Sequence, residues 1–84
     1  MKKVVEQITV ADPLGIHARP ASALAVAVGK SGARVTLRYG QKIADARSVI
    51  QMLGLGALPN SVVTVEIEGE IKPAMVAESI TRIY

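Results

Sequence analysis

Three stretches of the chain, 4–10, 33–39 and 61–68, predict strands with one buried and one solvated face. Apolar and polar residues alternate with a period of two in the last two stretches, whereas in the first the face of Ile8 and Val10 also carries Glu6. A turn at Gly40 leads from the second stretch into a short strand over 41–44. The core positions predicted from this alternation are Ile8, Val10, Ala33, Val35, Leu37, Tyr39, Val63, Val65 and Ile67. Strands with one polar face favour an antiparallel sheet that helices cover on one side only.

Helical spacing of apolar residues fills the segments between these strands. A first helix is predicted over 18–29, with Gly29 or Gly32 as its stop, a short second helix over 48–53, and a final one after Gly69. The buried sides are predicted to carry Ala21, Leu24 and Val28 in the first helix and Met75, Val76, Ile80 and Ile83 in the last. The resulting order is β-α-β-β-α-β-α.

Composition limits what a fold of this order can do. The chain has 84 residues, a length typical of a single domain over 1–84, and its core must be aliphatic because only two residues are aromatic. No cysteine and one histidine leave no disulfide and no obvious metal site. Residues 48–65 carry no charge, but glycines and a Pro-Asn-Ser turn interrupt them. We therefore expect a soluble, cytoplasmic protein without membrane insertion.

The net charge of +3 raises the question of nucleic-acid binding. The basic residues are scattered, and no aromatic side chain lies where bases could stack. A modest positive charge is equally suited to steering the chain toward acidic proteins. We expect protein partners and no nucleic acid.

The segment 14–22 concentrates the reactive chemistry. It holds the only histidine, His17, followed by Ala18, Arg19 and Pro20. Proline is accepted in the first turn of a helix, so His17 is predicted at or just before a helix start. Free N–H groups of Ala18 and Arg19 and the arginine charge would favour an anion there. A lone histidine at such a place is more often a surface or capping residue, but this combination favours an imidazole that accepts a phosphoryl group.

Gly-Ile-His-Ala-Arg-Pro-Ala-Ser resembles the active-site segment of HPr, the histidine-containing phosphocarrier of the bacterial phosphotransferase system. The similarity extends over residues 4–83 and implies an α+β, open-faced two-layer sandwich, a four-stranded antiparallel sheet covered on one face by three helices. It also implies that phosphorylated enzyme I transfers a phosphoryl group to His17, as a pros-phosphohistidine, and that an enzyme IIA domain receives it in sugar uptake or its regulation. Arg19 would stabilise the phosphate, and no cofactor is needed. The role is that of a carrier and not of an enzyme.

Residues 46–56 resemble the second helix of the same family and its glycine-containing exit. Ser48 has capping-box spacing to Gln51, so it caps the helix, and the resemblance offers a second role as a regulatory phosphorylation site for a serine kinase/phosphorylase. Val49, Ile50 and Leu53 cannot all face inward on a short helix, and either core or docking positions remain open. The predicted docking residues are Arg19, Pro20, Arg47, Val49, Ile50, Gln51 and Leu53.

Departures from the family pattern concern docking and not chemistry. Val26 and Gly29 lie where relatives carry lysines on the first helix, so Arg19, Lys30 and Arg47 are left to supply basic charge. Partner choice therefore stays open between sugar uptake and the nitrogen-related branch. The alternative is a regulatory HPr-like protein that acts by docking alone, against which the histidine argues. We expect a monomer.

Overall fold

The computed structural model describes residues 3–11, 16, 18–70 and 76. Four strands and two helices lie within these residues, and the predicted third helix falls outside them except for Val76, which is helical and fully buried. In chain order the elements are β1 (Lys3–Thr9), α1 (Ala18–Ser31), β2 (Arg34–Tyr39), β3 (Lys42–Asp45), α2 (Val49–Gly54) and β4 (Val62–Glu68).

The strands form one sheet in the order β1-β4-β2-β3, and every neighbouring pair is antiparallel. The register places Ile67 opposite Val35 and Val65 opposite Leu37, so apolar side chains of adjacent strands share a face. The α+β class and the four-stranded antiparallel sheet are therefore confirmed. The helical cover is shown for two helices of the three that were predicted.

The core lies between one face of this sheet and the helices. The predicted core positions of β1, β2 and β4 are buried, and Tyr39 packs partly buried against them. Helix α1 contributes Ala21, Leu24 and Val28, as its spacing predicts, and α2 contributes Met52. The opposite face of the sheet carries polar residues, among them Thr36, Thr64 and Glu66.

Local backbone chemistry explains where element ends depart from the sequence pattern. Helix α1 runs on to Ser31, and Gly32, with φ +72°, ends it, which decides between the two glycines considered. Strand β3 lies one residue later than predicted, because Gly40 and Gln41 form the turn that lets Tyr39 face Lys42. Gly54 remains helical, and the left-handed backbone that leaves α2 falls at Gly56, with φ +66°.

Gly69→Ala is expected to destabilise the fold by about 2–3 kcal/mol, because a methyl group meets both strain and a clash. Gly69 has φ +128°, and an added Cβ would lie 2.9 Å from the Cα and the Cβ of Ala33. Urea denaturation measures the loss. Gly32→Ala is the matched control, since its φ is also positive but no atom lies within 4 Å of the added Cβ. Equal losses in the two variants would contradict the close approach at Ala33.

Candidate phosphoryl-transfer site

Helix α1 begins at Ala18, so the residue directly before it in the chain is His17. The predicted helix start is thus confirmed to the residue. His17 itself lies outside the described residues, as do 12–15. Arg19 is exposed in the first turn of α1, and Ile16 packs partly buried against the core. The side chain of the predicted docking residue Pro20 also lies outside the described part.

Buried contacts and backbone hydrogen bonds hold the chain on either side of residues 17–20. Burial of Ala21 and Leu24 fixes α1 against the sheet. Ahead of the helix, the Ile16 N–H donates to the Ala57 carbonyl at 3.4 Å. The segment after α2 therefore lies beside the chain that enters α1.

A tight turn joins this segment to the sheet. The Ser61 N–H donates to the Leu58 carbonyl at 3.1 Å, and Asn60 between them has φ +66°, which is a type II turn with Pro59 at its usual second position. The Asn60 N–H donates to the Val10 carbonyl at 2.7 Å. The turn predicted at Pro59-Asn60 is confirmed, and it ties the end of β1 to the start of β4.

Ser48 caps α2, as its spacing predicts. Its Oγ accepts a hydrogen bond from the Gln51 N–H at 3.2 Å. The other half of a capping box is absent: Gln51 Oε1 accepts from the Asp45 N–H at 2.9 Å, and the Ser48 N–H donates to the Asp45 carbonyl at 2.9 Å. Only the serine half of the capping-box spacing is therefore used, and the Gln51 side chain instead joins α2 to the end of β3.

Part of the exposed side of α2 is apolar, so Val49, Ile50 and Leu53 are not all core residues. Ile50 is 83% exposed and Leu53 40% exposed, whereas Val49 packs partly buried against the core. Gln51 is exposed as well. We call the exposed group of Arg47, Ile50, Gln51 and Leu53 the α2 surface; α1, which carries Arg19, packs against α2.

Asp45 is a residue of this region that the sequence reasoning missed. Its Oδ1 accepts from the Arg47 N–H at 2.9 Å and from Arg47 Nε at 3.4 Å, and its Oδ2 lies 3.2 Å from Arg47 Nη2. An Asp two residues before the N–H it binds is an Asx turn, and Asp-Ala-Arg-Ser ahead of a helix carries that signal. The Arg47 side-chain hydrogen bond, aided by the Arg47 N–H, holds the pKa of Asp45 below its ordinary value.

No helix among the described residues is long and apolar enough to cross a membrane. Within the same residues, no three side chains of His, Cys, Asp or Glu are grouped as a metal ion would require.

Comparison with known proteins assigns the chain to a family. The model of the PTS HPr component phosphorylation site matches residues 4–82. The chain belongs to the HPr family. It is 40% identical over 65 residues to the phosphocarrier protein HPr of Lysinibacillus sphaericus, covering 77% of this chain and 74% of that one. Phosphocarrier protein NPr of Shewanella violacea is 40% identical over 55 residues, 66% of this chain and 60% of that one.

The crystal structure of HPr from Bacillus anthracis has a TM-score of 0.76, covers 94% of this chain and 93% of that chain, and is 22% identical, so it shows the common fold. As an HPr-family protein, the chain is a phosphocarrier of the phosphotransferase system, a cytoplasmic component and not a catalytic enzyme. Enzyme I and enzyme IIA are the partners that the family implies. The predictions of a phosphocarrier, of its cytoplasmic location and of a carrier in place of an enzyme are confirmed.

Asp45→Asn is expected to flatten the acid side of the stability profile. Since the pKa of Asp45 is lower in the folded chain, its ion pair stabilises the fold above the unfolded-state pKa of about 3.9 and loses this effect as the pH falls through the folded value. Urea midpoints measured from about pH 6 to pH 2 should therefore converge for the two proteins at low pH. Parallel profiles would contradict the pairing, and about 1 M salt should shrink the difference by screening.

Proposed function

We propose that His17 accepts the phosphoryl group from phosphorylated enzyme I and passes it to an enzyme IIA domain. The observation that carries this proposal is the start of α1 at Ala18, directly after the only histidine of an HPr-family chain. Within that family a phosphorylation site is the defining feature of the matching model. The nucleophile must be a residue that can hold a phosphoryl group and release it, and a phosphorylated imidazole does both.

The surroundings of α1 support reversible transfer. In the forward step a nitrogen of the neutral imidazole forms a bond to phosphorus while the bond to the donor breaks, and the reverse pattern delivers the group to the acceptor. The first-turn N–H groups of a 14-residue helix and the exposed Arg19 disfavour a second cation beside them and stabilise the phosphoryl oxygens. Such contacts at the protein surface are modest, so the phosphoryl group can leave again.

Docking is assigned to the start of α1 with Arg19 and Pro20, and to the α2 surface with its half-buried neighbour Val49. Ile50 and Leu53 support this assignment, because they are 83% and 40% exposed and form an apolar group on a helix that packs against α1. Arg47 is exposed just before the start of α2, where its guanidinium pairs with Asp45.

Ser48 is proposed as a regulatory phosphorylation site for a serine kinase/phosphorylase. It is half-buried at the start of α2, next to Arg47 and two residues from Ile50. A phosphate there would bring a charge of about −2 beside the apolar part of the α2 surface, where desolvation by a partner would be costly. The modification would thus act on docking and leave the fold intact.

A second candidate is service in the nitrogen-related branch. The match to phosphocarrier protein NPr supports it, although this match spans fewer residues than the one to HPr of Lysinibacillus sphaericus. The two functions share the chemistry at His17 and differ in which enzyme IIA accepts the group. Rates of transfer to enzyme IIA domains of either branch distinguish them.

Incubation with enzyme I and phosphoenolpyruvate is expected to add one acid-labile phosphoryl group, which intact mass measures. His17→Ala should abolish the gain, because the chain has no other imidazole. Labelling of the alanine variant at the wild-type rate would contradict the assignment.

Arg19→Ala serves as the second arm of that experiment. It should slow transfer about tenfold or more through the loss of a charged phosphate contact, while leaving the free energy of unfolding within about 0.5 kcal/mol. Arg34→Ala removes an exposed arginine from β2 and is the matched control. Equal rates for the two variants would remove Arg19 from the mechanism.

Ser48→Asp and Ser48→Ala separate signalling from capping. Ser48→Ala should lose about 1 kcal/mol of stability with the Gln51 hydrogen bond and still transfer at nearly the wild-type rate. Ser48→Asp keeps a capping oxygen, so it should stay folded but react more slowly with enzyme I through weaker association. Urea denaturation and the KM for the carrier measure the two effects. Wild-type KM in both variants would leave Ser48 as a helix cap only.

A further inference from the structure

Arg47 does not present a full positive charge to a partner. Its Nη2 lies 3.2 Å from Asp45 Oδ2 and its Nε 3.4 Å from Asp45 Oδ1, so both oxygens of one carboxylate contact the guanidinium. Asp45 is itself fixed at the end of β3, where its N–H donates to Gln51 and its Oδ1 receives the Arg47 N–H. The pair is therefore built into the β3–α2 turn, and its net charge is zero.

This neutral pair lies beside the apolar part of the α2 surface. Arg47 precedes Ile50 by three residues, which limits the separation of their Cα atoms to about 12 Å. That distance is well below the Debye length of about 30 Å at 0.01 M salt, so a charge at residue 47 would act on any partner covering Ile50. On α1 the exposed Val26 and Gly29 add no charge.

We infer that Asp45 is a specificity-determining residue: by neutralising Arg47 it keeps the α2 surface uncharged at its start, so that association with a carboxylate-bearing partner surface depends on Ile50 and Leu53 and only weakly on salt. The inference rests on the proposed docking role of the α2 surface. Loss of a docking residue weakens binding, whereas loss of the Asp45 charge has the opposite effect. Without that charge the Arg47 cation is no longer neutralised, and binding to an acidic partner becomes stronger.

Four charge variants of the full chain test this inference through KM and kcat with enzyme I and with an acidic enzyme IIA domain. Asp45→Asn keeps an oxygen for the Arg47 N–H but removes the charge, and should lower KM about two- to fourfold at about 0.01 M salt. The gain should vanish at about 1 M salt. Arg47→Gln leaves Asp45 as an excess negative charge and should raise KM. Adding Arg47→Gln to Asp45→Asn should abolish the gain.

Glu6→Gln supplies the fourth variant and the matched control. It makes the same change in net charge on β1, the edge of the sheet opposite β3, and should lower KM by less than Asp45→Asn does. An equal effect of the two would show that net charge alone sets association, and would overturn the inference. A higher KM for Asp45→Asn would overturn it as well.

Ile50→Ser distinguishes failure of this inference from failure of the proposed function. If Ile50→Ser raises KM while the charge variants all match wild type, the α2 surface docks partners and Asp45 has no part in it. If Ile50→Ser also leaves KM at the wild-type value, both the docking proposal and the inference are wrong. Thermal midpoints of all variants show that the comparisons are made on folded protein.

Discussion

The burial of one face of β4 is the constraint on which the rest of the structure depends. β4 is hydrogen-bonded to β1 on one side and β2 on the other, so it fixes the register of three strands at once. Val63, Val65 and Ile67 are at most 1% exposed. A slip of one residue would turn all three toward solvent, so a single register is strongly favoured. The same register brings Val10, just after β1, into hydrogen bonding with Asn60 and Ser61.

The solvated face of the sheet reinforces this register without providing much stability. Glu66 Oε1 lies 2.9 Å from Lys3 Nζ on β1, and its Oε2 lies 3.3 Å from Arg38 Nη2 on β2. The hydrogen bond from Lys3 is the main cause that lowers the pKa of Glu66. Exposed ion pairs of this kind contribute little to the free energy of unfolding, but the opposite pairing of charges disfavours other alignments.

Periodicity and turn chemistry predicted most of the fold. They did not predict the hydrogen-bond partner of a side chain that has two backbone N–H groups within reach. The alternation in 33–39 and 61–68 identifies the core because burial follows directly from side-chain period. The partner of the Gln51 side chain could not be predicted, since the N–H groups of Ser48 and Asp45 are both local and only the path of the turn decides between them. The Asp45–Arg47 ion pair was not predicted for the same reason, since it too depends on the path of this turn.

The chemistry proposed for the site comes from the sequence, whereas its surface could be described only from the structure. The combination of a sole histidine with an Arg-Pro helix start favours phosphoryl transfer over the commoner surface or capping role of a histidine. The rotation of α2 about its own axis determines which of its apolar residues face solvent. Met52 is fully buried, and Ile50 is exposed. In the proposed docking role, the exposed apolar residues beside a neutralised arginine would provide contact area without the long-range attraction that favours one acidic partner over another.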